Sequence, residues 1–159
     1  AKIAAILHDI GNVVNRTDHA QSGAVMAFRL LDNLSMPADE IATIVSAIGN
    51  HDESTAQPIN AIAAALIIAD KTDVRRSRVR NQDLTSFDIH DRVNYAVTKA
   101  NLYFSDDKTR LILDLNIDTE ISSVLEYFEI FLERMLLCKR SAEYFKVKFS
   151  MNINGSAIL

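Results

Sequence analysis

The stretch that most constrains the fold is Ile59-Asn60-Ala61-Ile62-Ala63-Ala64-Ala65-Leu66-Ile67-Ile68-Ala69. Pro58 suits the first turn of a helix, and the helix that follows is apolar almost all round. A helix without a polar face has to be enclosed, so the rest of the fold must wrap it. This helix also delivers a carboxylate, Asp70, at its end. Buried charge is expensive unless it is paired or bound to a metal.

Helices that could do the wrapping are legible on both sides. Residues 1–9 read as a helix end. Asp18 with Gln21 reads as a capping box that starts a helix near His19, with Ala24, Met26, Ala27, Leu30, Leu31 and Leu34 suiting one face. Ser35-Met36-Pro37 opens the next, with Asp39 and Glu40 favouring the positive helix start. There Ile41, Ile44, Val45 and Ile48 form one stripe, and Gly49 ends the helix.

Beyond Asp70 the texture changes. A basic run from Arg75 to Arg80 leads to a loop at Thr85 to Asp88 and a short helix from Ile89 to Val97. Leu102-Tyr103-Phe104, the polar turn Ser105-Asp106-Asp107-Lys108 and Leu111 to Leu115 read as a β-hairpin. Asp118-Thr119 reads as the cap of a long helix through Val124, Leu125, Phe128, Phe131, Leu132 and Met135. Lys146 to Phe149 alternates as a half-buried strand does. The expectation is a mostly α chain. A helical bundle over residues 1–98 precedes a small α+β unit (β-β-α-β) over 99–159, with a regulatory or oligomerising role and a homodimer as the natural guess.

The bulk numbers exclude little but bound the class. With 17 basic and 21 acidic residues the net charge is −4, which argues against a broad nucleic-acid or membrane surface. A single cysteine, Cys138, allows no internal disulfide, so a reducing, cytoplasmic setting is the expectation. No apolar run reaches the length of a membrane span, and no secretory signal is visible. The chain begins at Ala1 without methionine, and Ile3 to Leu7 read as the last turns of a helix already under way, so residues upstream are expected.

All four histidines stand beside an aspartate: His8-Asp9, Asp18-His19, His51-Asp52 and His90-Asp91. Neutral imidazole with carboxylate suits a divalent metal, and a metal can make a nucleophile of water at neutral pH. His8, Asp9, His19, His51 and Asp70 all fall at predicted helix ends, which bundle packing can bring together. An isolated His-Asp pair is common by chance; a set distributed over four helix ends is less so.

Here the pattern resembles the HD-domain superfamily of metal-dependent phosphohydrolases. Ala4-Ala5-Ile6-Leu7-His8-Asp9-Ile10-Gly11 looks like its central His-Asp motif, and Ile67-Ile68-Ala69-Asp70 like its distal aspartate motif. His19-Ala20-Gln21-Ser22-Gly23-Ala24 resembles the helix start of subfamilies with extra histidines, and His51 their next metal-binding histidine. The resemblance covers about residues 1–98. It implies an HD helical bundle that hydrolyses a nucleotide or other small phosphate ester through a metal-bound hydroxide. It also implies one or two divalent ions (iron, manganese, zinc, nickel, cobalt or magnesium). Asp9 would bridge two metals, His8 and Asp70 completing one and His19 and His51 the other. Asp9 and Lys71 would then be the catalytic pair, and Arg75, Arg76, Asn12 and Arg16 candidates to hold phosphate oxygens.

Two departures bear on activity. The family's first histidine lies upstream of the His-Asp motif, where this chain has nothing. Many relatives carry lysine where this chain has Asn12, a lost positive charge that Asn15 or Arg16 could replace. Both features leave room for a non-catalytic nucleotide- or metal-binding regulatory module. His90-Asp91 lacks the apolar approach of the first motif; it could line a cleft or serve as a helix-start cluster capped by Asp88. Cys138 reads as packing.

Overall fold

A computed structural model describes residues 1–81 and 83–158 of the chain; Gln82 and Leu159 lie outside the described residues. The chain divides into two compact units, Ala1–Asp70 and Lys71–Leu159.

The first unit is built from α1 (Lys2–Leu7), a 3-10 turn (Ile10–Val13), α2 (His19–Asn33), α3 (Ala38–Gly49) and α4 (Ala61–Lys71), the last residue of which opens the second unit. Ala20, Ala24, Ala27 and Leu31 recur at helical spacing and are buried along α2; Ile41, Ile44 and Ile48 do the same along α3. These stripes pack with Ala4 of α1 and with Ala63 and Leu66 of α4. Ile48 is fully buried, a gain of about 1.5–3 kcal/mol over leaving it exposed. In α4, Ala63, Ala64, Leu66, Ile67 and Ile68 are buried, as a helix without a polar face requires.

Three helices are capped otherwise than expected, and the starts of two of them move. Asp18 precedes α2 but adopts a left-handed backbone (φ 56°) and makes no side-chain cap. A capping side chain needs an extended backbone, which that conformation denies it. Gln21 instead donates to the carbonyl of Gly49 at 3.1 Å. The helix expected from Pro58 begins at Ala61, because Asn60 Oδ1 accepts from the Ala63 amide at 2.8 Å and takes the capping role. The long helix expected after Asp118-Thr119 begins at Val124, where Ser123 and Glu126 form a reciprocal capping box.

The second unit holds α5 (Ile89–Ala96), β1 (Val97–Phe104), β2 (Arg110–Ile117), α6 (Val124–Tyr144), β3 (Lys148–Ile153) and the short β4 (Ser156–Ala157). The strand order is β1-β2-β3-β4, with β1–β2 and β3–β4 antiparallel and β2–β3 parallel across α6. The expected hairpin is present, and β4 is an addition to the expected β-β-α-β. Leu111, Leu113, Leu115 and Ile117 alternate with less buried residues on β2, as do Phe149, Met151 and Ile153 on β3. That alternation is the period-2 signature of a sheet with one covered face. Tyr127, Phe131, Met135 and Cys138 form the buried face of α6, which packs on β3. Among the described residues no helix is long and apolar enough to cross a membrane.

Candidate metal centre

Each histidine of the first unit is oriented by the helix end that carries it. His8 follows the last residue of α1 and places Nδ1 2.7 Å from the Ala5 carbonyl. His51 lies just beyond α3, with Nδ1 2.6 Å from the Ile48 carbonyl. His19 opens α2, with Nδ1 2.9 Å from the Arg16 carbonyl. All three contacts span three residues, and for His8 and His51 they satisfy carbonyls that a helix C-terminus leaves without a partner. A carbonyl oxygen can only accept, so Nδ1 must carry the hydrogen and Nε2 must present its lone pair.

Those three Nε2 atoms converge. His19 and His51 are buried, with their Nε2 atoms 3.3 Å apart. Two lone pairs facing one another at that distance repel unless a cation lies between them. Asp9 supplies negative charge in both directions. Its Oδ1 lies 3.3 Å from His19 Nε2 and 3.8 Å from His51 Nε2, while its Oδ2 lies 3.7 Å from His8 Nε2. Asp70 Oδ1 approaches His8 Nε2 from the end of α4 at 3.7 Å. Two donor groups result, His8–His51–Asp70 and Asp9–His19–His51, and His51 belongs to both.

The donor set fits a divalent cation. Two donors bound to one ion at roughly 2.1 Å can be at most about 4.2 Å apart. The separations of 3.3 Å, 3.7 Å and 3.8 Å all fall inside that limit. The Asp70 carboxylate beside His8 raises its pKa above the ordinary histidine value; burial opposes this, and the Ala5 carbonyl adds to it. A proton and a metal therefore compete for the same Nε2 lone pair.

The approach of the 3-10 turn to α2 depends on two glycines. A Cβ on Gly11 would lie 2.0 Å from the His19 carbonyl oxygen and 2.6 Å from the Gly23 amide nitrogen. Only a residue without a side chain lets the strand of chain carrying His8 and Asp9 sit against the start of α2.

Arg16 borders the cluster. Its Nη1 lies 3.7 Å from Asp9 Oδ1 and donates to Asn12 Oδ1 at 3.3 Å, so Asn12 and Arg16 stand together beside the Asp9 carboxylate. The other positively charged candidates belong to the second unit. Lys71, at the end of α4, is buried. Arg75 Nε pairs with Asp73 Oδ1 at 3.0 Å. Arg76 donates through Nε to the Tyr95 carbonyl at 2.7 Å and lies 4.4 Å over the Tyr95 ring. His90 and Asp91 lie in the first turn of α5, where Asp88 accepts from the Asp91 amide at 2.7 Å, the helix-start arrangement.

Asp52 is a carboxylate the sequence reading passed over. Its Oδ1 lies 3.8 Å from His19 Nε2, and its Oδ2 accepts from Ser54 Oγ at 2.8 Å. The adjacency His51-Asp52 was visible in the chain; nothing local indicated that both would face the same histidine. Compared with known proteins, residues 1–75 match the HD domain family. No curated protein and no solved structure matches the chain.

Proposed function

Residues 1–75 of this chain are an HD domain, a fold suggestive of metal-dependent phosphohydrolases, and on that premise we propose that the protein hydrolyses a small phosphate ester, a nucleotide being the favoured class, at a two-metal centre. The observation that carries the reading is the convergence of the three imidazole Nε2 lone pairs on the two oxygens of Asp9. Divalent ions held there would acidify water to a usable nucleophile and offset charge on the phosphoryl oxygens.

The side chains divide the remaining work. The carbonyls of Ala5, Arg16 and Ile48 fix the tautomer of each neutral histidine, so no ring rotation or change of tautomer is needed before a cation enters. Asp9 serves as the bridge, one oxygen facing each donor group, with Asp70 completing the His8 side. Arg16, braced by Asn12, provides an exposed guanidinium beside the bridge for a phosphate oxygen, replacing the charge absent at position 12. Lys71 follows Asp70 directly, and its buried ammonium would steady the end of α4. Arg75 and Arg76, held by Asp73 and Tyr95, shape the second unit in this reading.

The test is hydrolysis of p-nitrophenyl phosphate and bis-p-nitrophenyl phosphate by metal-reconstituted protein, alongside His8→Ala and Asp9→Ala. Turnover by the parent that disappears in both variants supports the proposal. Full activity in either variant overturns the mechanism. Nucleotide binding without turnover by the loaded parent would instead support a non-catalytic regulatory module, for which Asn12 in place of lysine is the favouring observation.

A further inference from the structure

We propose that two copies of this chain pair antiparallel along the exposed face of α6. The proposal concerns the second unit and stands apart from the metal centre. Tyr127, Phe131, Met135 and Cys138 occupy the buried side of this 21-residue helix, which packs on β3. A second apolar stripe, Leu125, Leu132 and Leu136, is 68%, 47% and 43% exposed. Spacings of seven and four residues put these leucines on one face, opposite the buried one. The helix therefore carries more apolar surface than its packing on β3 uses.

The charges around the stripe indicate what covers it. Glu129 and Glu133 flank it in the first half of α6, and Lys139 and Arg140 in the second half, all four exposed. None of the four is in an ion pair among the described residues, whereas Glu126 on the same helix is held by Arg92. Such a face complements itself in one direction. In a parallel pair in register, Glu129 would meet Glu129 of the second copy and Lys139 would meet Lys139, and both contacts repel. In an antiparallel pair about a two-fold axis level with Arg134, Leu132 faces Leu136 of the second copy and Glu129 faces its Lys139. Symmetry makes each contact twice. Arg134 itself turns away, over the Phe131 ring at 4.6 Å. From Leu125 to Glu143 the seam is about 28 Å long. With two leucine layers it belongs at the small end of specific interfaces, near about 1,200 Å² in total, so the dimer should dissociate on dilution.

The experiment is sedimentation equilibrium of the full chain over a range of concentrations. It compares the parent, Leu132→Ser with Leu136→Ser, Glu129→Lys alone, and Glu129→Lys with Lys139→Glu. Circular dichroism at 222 nm reports whether each variant is folded; every substituted side chain is exposed, so each should be. The parent should dimerise as its concentration rises, and the leucine variant should stay monomeric throughout. Glu129→Lys sets like charges opposite one another at two symmetric places and should weaken association about tenfold. The exchanged pair reverses both charges and should restore the parent's dimer, a recovery that a general loss of folding would not show. A parent that is monomeric at every concentration overturns the proposal and leaves the stripe to a partner of different sequence. A dimer that survives in the folded leucine variant also overturns it, because the copies then meet elsewhere. Association unchanged by Glu129→Lys, or not recovered by the exchange, overturns the antiparallel pairing.

Discussion

Gly11→Ala is expected to be the most damaging single methyl in the first unit. The new Cβ would meet the His19 carbonyl oxygen at 2.0 Å, Ser22 Oγ at 2.5 Å and the Gly23 amide nitrogen at 2.6 Å, where ordinary contact begins at 3.4 Å. The serine can turn away; the two backbone atoms cannot. The chain must yield by more than 1 Å between the 3-10 turn and α2, which puts the penalty at the upper end of overpacking, about 3 kcal/mol. With a urea slope of about 1–3 kcal/mol/M, the midpoint of the first unit should fall by roughly 1–3 M. Gly23→Ala is the control. Its Cβ would meet Gly11 N at 3.2 Å and the His8 carbonyl at 3.4 Å, a demand of a few tenths of an ångström. Alanine also gains up to about 1 kcal/mol of helix propensity in α2, so the net change should be near zero. Ellipticity at 222 nm reports all the helices, whereas the tyrosines, Tyr95, Tyr103, Tyr127 and Tyr144, lie in the second unit of a chain without tryptophan. The Gly11→Ala loss should therefore appear in ellipticity and leave the tyrosine transition in place. Metal affinity should fall too, because the obstructing carbonyl belongs to His19. An unshifted midpoint for Gly11→Ala, or an equal loss for Gly23→Ala, would refute the steric argument.

Two further outcomes follow from particular side chains. Arg16→Ala should leave the metal count unchanged, since His19 is oriented by the Arg16 backbone carbonyl, and should raise KM about tenfold to a hundredfold through loss of a charged hydrogen bond of about 1.5–3 kcal/mol; a steady-state titration alongside elemental analysis checks both. In the β1–β2 turn, Ser105 Oγ and the Thr109 amide and hydroxyl hold the Asp107 carboxyl down at about 2, below the ordinary 3.8. A depressed folded value stabilises above the unfolded pKa and is lost as pH falls through the folded one. The stability gap between the parent and Asp107→Asn should be full above pH 3.8 and close towards pH 2, as denaturant midpoints across that range would show.

What the sequence determined by itself was local. Helical periodicity marked the buried stripes of α2 and α3, and the unbroken apolar run of α4 required enclosure. Each of His8, His19 and His51 also has its Nδ1 partner only three residues away. Caps were less legible, because Asp18, Asp118 and Thr119 are all plausible capping types, and the backbone conformation that decides among such residues comes from the turn around them. Tertiary structure alone decided the rest. The proximity of His19 to His51 depends on α2 crossing α3, the seat of His8 and Asp9 on the bare backbone of Gly11, and the approach of Asp52 to His19 on both. Arg76 shows the same division: its charge was plain in the basic run, but its commitment to Tyr95 required α5 to be in place. Hydrogen bonds between near neighbours follow from the order of residues, whereas a site assembled from four helix ends exists only once burial of their apolar faces has fixed where those ends meet.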